Sequence, residues 1–175
     1  MSHHLKYHRI LAIAPSWRGF GFAVFEGENT LVDWGVKSVE GEKNKECIKK
    51  LGKMMAHYRP DILALEDFDA KGSRRSARIR ALGSEIIELV RKDGGSVAQI
   101  SRDQVMETFF EDGDGTRYAI AGILARRFPE ELGSRLPPKR RPWKSEDYRM
   151  SIFDAVALAL VERLRACFEN AIFQL

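Results

Sequence analysis

The stretch from Arg9 to Glu26, RILAIAPSWRGFGFAVFE, constrains this chain most. Ile10, Leu11, Ala12 and Ile13 form a short apolar run that ends at Ala14-Pro15-Ser16. Gly19 to Val24 then supplies a second run of β type. Apolar runs bounded by Pro and Gly read as a buried strand, a tight turn and a returning strand.

The rest of the chain continues the pattern. Strand one is expected over Arg9–Ala14, strand two over Gly19–Glu26 and strand three over Thr30–Val39, an antiparallel meander. Ile48, Leu51, Met54, Met55 and Tyr58 recur at helical spacing between Glu42 and Arg59, and Pro60 stops that helix. Asp61–Glu66, DILALE, is a fourth strand reached through the helix and so parallel to strand one. A long helix is predicted from Ser73 to Lys92, then a fifth strand over Ser96–Ile100 and helices over Ser101–Phe110 and Gly115–Phe128. Pro129–Pro142 reads as an inserted loop, and the last helix is predicted to begin at Ser145. The order βββαβαβ followed by helices implies an α/β fold: a mixed five-stranded sheet, three strands antiparallel and two parallel, with helices on both faces.

With 175 residues the chain suits one domain, residues 1–175, with residues 1–8 expected to be a flexible tail. No apolar run approaches the ~20 residues of a membrane span. The first residues, MSHHLKYHR, lack a secretory h-region. Cys47 and Cys167 are too few for a disulfide framework and too isolated for a zinc motif. A reduced, cytoplasmic protein is therefore expected. Net charge is only +4, yet KGSRRSARIR (Lys71–Arg80) holds five basic residues and KRRPWK (Lys139–Lys144) four, neither with any acid. Such clusters are a footprint for polyanions such as DNA or RNA.

Acidic residues at the ends of apolar elements carry the chemistry. Glu66 closes strand four, and parallel strands one and four would bring their C-terminal ends within ~4.8 Å. Asp154 interrupts IFDAVALALV, an apolar helix on which a buried carboxylate is costly unless paired or metal-bound. Two converging carboxylates suit Mg²⁺, and two such ions can drive phosphodiester cleavage. Asp67 is expected on the opposite face of its strand, in a supporting role. Asp147 falls seven residues before Asp154 but ~10 Å away along a helix, so favouring the positive helix N-terminus is its simpler role.

At this point the chain resembles a known family, the RuvC branch of the RNase H-like superfamily, the Holliday-junction resolvases. ILAIAPSWRGFGFAVF is similar to that family's first hairpin, PDILALEDFDAK to its fourth strand and Lys-bearing loop, and SARIRALGSEIIELV to the following helix. SRDQVMETFFEDGDGTRYAI and FDAVALALV match, in order, the segment after the fifth strand and the final helix. The resemblance implies a metal-dependent endonuclease for branched DNA. It would act as a homodimer with two Mg²⁺ (or Mn²⁺) ions and without a small-molecule cofactor. Glu66 and Asp154 match its acidic metal ligands; Ser151 stands where a further ligand often sits, with Asp147 nearby. Ala14 stands where the family has its first catalytic aspartate, implying an inactive form. It is either an aspartate deliberately replaced to trap substrate or a natural loss. Phe68 lies near the family's DNA-wedging aromatic, and Arg117 is the nearest match to its basic residue. Lys71, Arg74, Arg75, Arg78 and Lys144 would meet backbone phosphates. Two alternatives remain: a degenerate nucleic-acid-binding module, and an RNA-processing or mobile-element nuclease of the same superfamily.

Overall fold

At the centre of the sheet, β1 (Arg9–Pro15) pairs antiparallel with β2 (Gly19–Glu26) on one side and parallel with β4 (Ile62–Glu66) on the other. This computed structural model describes residues 8–172, with side chains described as far as 169. The expected tail thus lies, apart from His8, outside the described residues. β3 (Thr30–Ser38) pairs antiparallel with β2, and β5 (Val97–Ile100) parallel with β4, giving the order β3-β2-β1-β4-β5. The five strands and their directions match the sequence expectation.

Alternation along the strands divides the core in two. Leu11, Ile13, Phe20, Phe22, Leu63 and Leu65 face helices α1 (Lys43–Tyr58) and α2 (Ala77–Lys92). Ile10, Ala12, Ala14, Ala23, Ala64 and Ile100 face the other way. That second face is covered by α4 (Arg117–Arg127), the four-residue α5 (Pro129–Leu132) and α6 (Met150–Ile172), with α3 (Arg102–Phe109) at the side. Helix α6 is the core helix of that face. From Met150 to Arg163 every residue is buried except Asp154.

Close approach of α6 to the sheet depends on Gly21, the register partner of Ala14. A Cβ at Gly21 would stand 2.2 Å from the Ser151 carbonyl oxygen and 2.6 Å from its hydroxyl. Only glycine lets the first turn of α6 lie on β2 there, and that seating sets Asp154 one turn further along over the end of β1.

Three boundaries differ from the expected ones. Helix α6 starts at Met150, not Ser145: the Asp147 carboxylate accepts the Arg149 backbone N–H at 2.9 Å, and this side-chain turn competes with a helix. Asp147 therefore sits before the helix and not in its first turn. Helix α2 starts at Ala77, with the Ser76 hydroxyl accepting from the Ile79 N–H, so Arg74 and Arg75 precede the helix. Finally, the expected loop from Pro129 contains α5, begun by a proline whose missing N–H costs nothing at a helix start.

Replacing Gly21 by alanine should force α6 off the sheet. We expect Gly21→Ala to cost about 1–3 kcal/mol in urea denaturation, whereas Gly52→Ala, with open space around its Cβ position on helix α1, should be neutral or stabilising.

Candidate nucleic-acid interface and carboxylate cleft

The sheet register builds the site. Ile13 pairs with Leu65 across β1 and β4, and Glu66 pairs with Ile100 across β4 and β5. Ala14 and Glu66 are thus the next step of one row, both on the face covered by α6. With Asp154 they line a single cleft whose floor is apolar, built by Ile100, Ile120, Phe153, Ala157 and Leu158. The two expected carboxylates and the alanine are therefore brought together at the C-terminal edge of β1 and β4.

Each carboxylate is closed by an arginine. Arg75, from the loop after β4, donates from Nε to Glu66 Oε2 at 3.1 Å and from its second nitrogen to the same oxygen. Arg117, the first residue of α4, donates from Nε to Asp154 Oδ1 at 2.6 Å and from Nη2 to Oδ2. The other terminal nitrogen of Arg117 pairs with Glu146. Burial alone would lower the pKa of Arg117, but Asp154 and Glu146 outweigh it and raise it. Its charge is permanent at any working pH, and bidentate pairs of this kind are the strong ones.

The donor set does not make a two-ion centre. Among the described residues no three of His, Cys, Asp and Glu come together as a metal cluster. Ala14 contributes a buried methyl where a third carboxylate would be needed. The cleft has room for about 50 Å³, a few waters. Ser151 and Asp147, expected as further ligands, are not brought to it. The Ser151 hydroxyl donates to the Tyr148 carbonyl at 2.7 Å, and Asp147 is held by Arg149 at 2.8 Å. The Arg149 side chain lowers the pKa of Asp147. Asp67 accepts the Asp69 N–H and organises the loop after β4.

The predicted DNA contacts separate into groups. Lys71, Arg74 and Lys144 are exposed. Arg75 serves Glu66. Arg78 bonds the Ser16 carbonyl and the Asn44 side chain, both at 3.2 Å, fastening the β1–β2 turn to α1. Phe68, expected near a DNA-wedging aromatic, is instead 6% exposed here and packs in the α1/α2 core, its ring filling the space that Gly83 leaves open. Sequence reasoning missed Arg102, which lines the cleft from the start of α3, directly after the β5 edge. It also missed Trp17 and Trp143, 58% and 75% exposed.

This sheet order, with a helix seated across the end of the central strand and acids at that edge, defines an RNase H-like fold of the RuvC type. Solved structures that share it include the following three. Thermus thermophilus RuvC in complex with a Holliday junction substrate is 17% identical, with a TM-score of 0.68 over 93% of this chain and 97% of that one. The yeast mitochondrial Holliday junction resolvase Ydc2 is 11% identical, with a TM-score of 0.62 over 93% and 82%. The fowlpox virus resolvase with its junction DNA is 15% identical, with a TM-score of 0.52 over 90% and 97%. No family profile matches the chain, and no curated protein matches it significantly.

Two measurements check the cleft. Arg117→Ala strips two carboxylates of their partner in a partly buried place, and we expect a loss of about 1–3 kcal/mol in urea. A divalent-ion site with a Kd of about 1 mM would add about 1.4 kcal/mol at about 10 mM ion, several degrees of Tm. We expect Mg²⁺ or Mn²⁺ at that level to shift the Tm by less than about 1 °C.

Proposed function

We propose that this chain binds branched DNA and, as it stands, holds it without cutting. The observation that carries this is Ala14, buried in one row with Glu66 while Glu66 and Asp154 are both tied to arginines. The fold is shared with solved junction resolvases, which supports the substrate class. Lys71 and Arg74, in the loop that carries Arg75, and Lys144, in the segment before α6, are exposed to phosphates, which gives affinity and salt dependence rather than sequence reading.

A homodimer would match the two-fold symmetry of a four-way junction. Helix α6 supports such a contact, because Leu164 and Phe168 lie one turn apart and are 44% and 70% exposed. The chain from β1 to α6 acts in this reading as one domain.

A second reading, a metal-dependent endonuclease silenced by one residue, is favoured by the row itself. An aspartate at position 14 would enter the cleft beside Glu66 and Asp154 and attract Mg²⁺ or Mn²⁺. The test is a labelled synthetic four-way junction offered to the present chain and to Ala14→Asp in Mg²⁺. We expect the present chain to bind the junction in preference to linear duplex and leave it intact. Paired nicks from Ala14→Asp alone would place the silencing at Ala14. Intact DNA with both proteins would assign it to the arginine pairs as well. Cutting by the present chain, or no binding, would sink the proposal.

A further inference from the structure

Beside the cleft lies a groove that the carboxylate site does not use. Trp17, Lys139, Arg140, Arg141 and Lys144 line one part, and residues from Ser145 to Arg149 the other, around about 620 Å³ of open space. That is within the ~300–1,000 Å³ of clefts that hold small organic groups. Its two acids are both engaged, Glu146 with Arg117 and Asp147 with Arg149. The four cations of Lys139–Lys144 have no carboxylate partner among the described residues.

The turn that carries Trp17 is fixed while its indole is in solvent. Ser16 N–H donates to the Gly19 carbonyl at 2.9 Å, and a Cβ at Gly19 would collide with the Lys37 carbonyl at 2.0 Å. Lys43 Nζ donates to the Trp17 carbonyl at 2.6 Å. Arg18 bonds the Ser38 hydroxyl at 3.0 Å and lies 4.2 Å above the Tyr148 ring. An exposed indole on a pinned turn, beside cations that no carboxylate neutralises, is a stacking platform for a base with its backbone held alongside. Paired bases inside a duplex hide their faces, so the matching ligand is an unpaired strand. The groove also meets the cleft: Glu146, in its wall, bonds Arg117, which bonds Asp154.

Building on the DNA-binding reading above, we propose that this groove holds an unpaired stretch of a DNA strand. One base stacks on Trp17, its phosphates lie on Lys139–Lys144, and the strand is led toward Arg117.

The test uses the full chain and tryptophan fluorescence. Of the three tryptophans, Trp34 is packed against the core and Trp17 and Trp143 are exposed. A short oligothymidine, an oligouridine and a blunt duplex of equal length, and a four-way junction, are titrated into the parent chain, Trp17→Ala and Trp17→Phe. We expect the oligothymidine to quench the parent. Trp17→Ala should weaken its binding by about 5- to 150-fold, the worth of one stacked base. Trp17→Phe should recover most of the loss, and duplex affinity should not change. Unchanged oligothymidine binding in Trp17→Ala, or an equal loss for duplex, overturns the groove while junction binding keeps the DNA reading. A stronger preference for oligouridine overturns the assignment to DNA. Binding of no DNA at all overturns both.

Discussion

A carboxylate in an apolar cleft must find a counter-charge, and both carboxylates here find a guanidinium. Much of the local structure follows from that need. Arg75 holds the loop after β4 against the sheet edge. Arg117 ties α4 to α6 through Asp154 and to the segment before α6 through Glu146. Removing a single partner leaves a charge stranded among Ile120, Phe153 and Leu158, so the pairs are more costly to break than to have. The same pairs take up part of the acceptor capacity that a cation would draw on.

The sheet was legible because its signals are local. Apolar runs, Pro and Gly breaks, and the parallel return through α1 placed β1, β2, β3 and β4 and brought Glu66, at the end of β4, beside the end of the central strand. Asp154 was legible because it is the one acid in the apolar segment IFDAVALALV. Its arginine was not: Arg117 lies 37 positions earlier, and no spacing rule links a long side chain to a partner chosen by tertiary packing. Asp147 sits before α6 for a different reason: its carboxylate accepts the Arg149 N–H at 2.9 Å, and this side-chain turn competes with an earlier helix start.

Phe68 and Trp17 show how loops exchange roles that sequence position alone would assign. Both are aromatic, and both follow a central strand end. Gly83 opens a space on α2 that takes the Phe68 ring inward, so the loop after β4 shows solvent its Lys71 and Arg74 instead. At the end of β1 the turn is pinned through its backbone and through Arg18, and Trp17 stays 58% exposed. The large aromatic surface next to the cleft edge therefore comes from the first hairpin.

Charge bookkeeping connects these features to DNA. A cleft with three carboxylates repels phosphate until metal ions neutralise it, so binding and cutting then depend on the same ions. With Ala14 in place, Glu66, Asp154 and Glu146 meet Arg75, Arg117 and the nearby Arg102, and the cleft edge is neutral without help. Phosphates approaching from Lys71, Arg74 and the Lys139–Lys144 loop meet no net repulsion there. Ala14 adds neither charge nor an oxygen donor to that edge, so its charge balance rests on the arginine pairs alone.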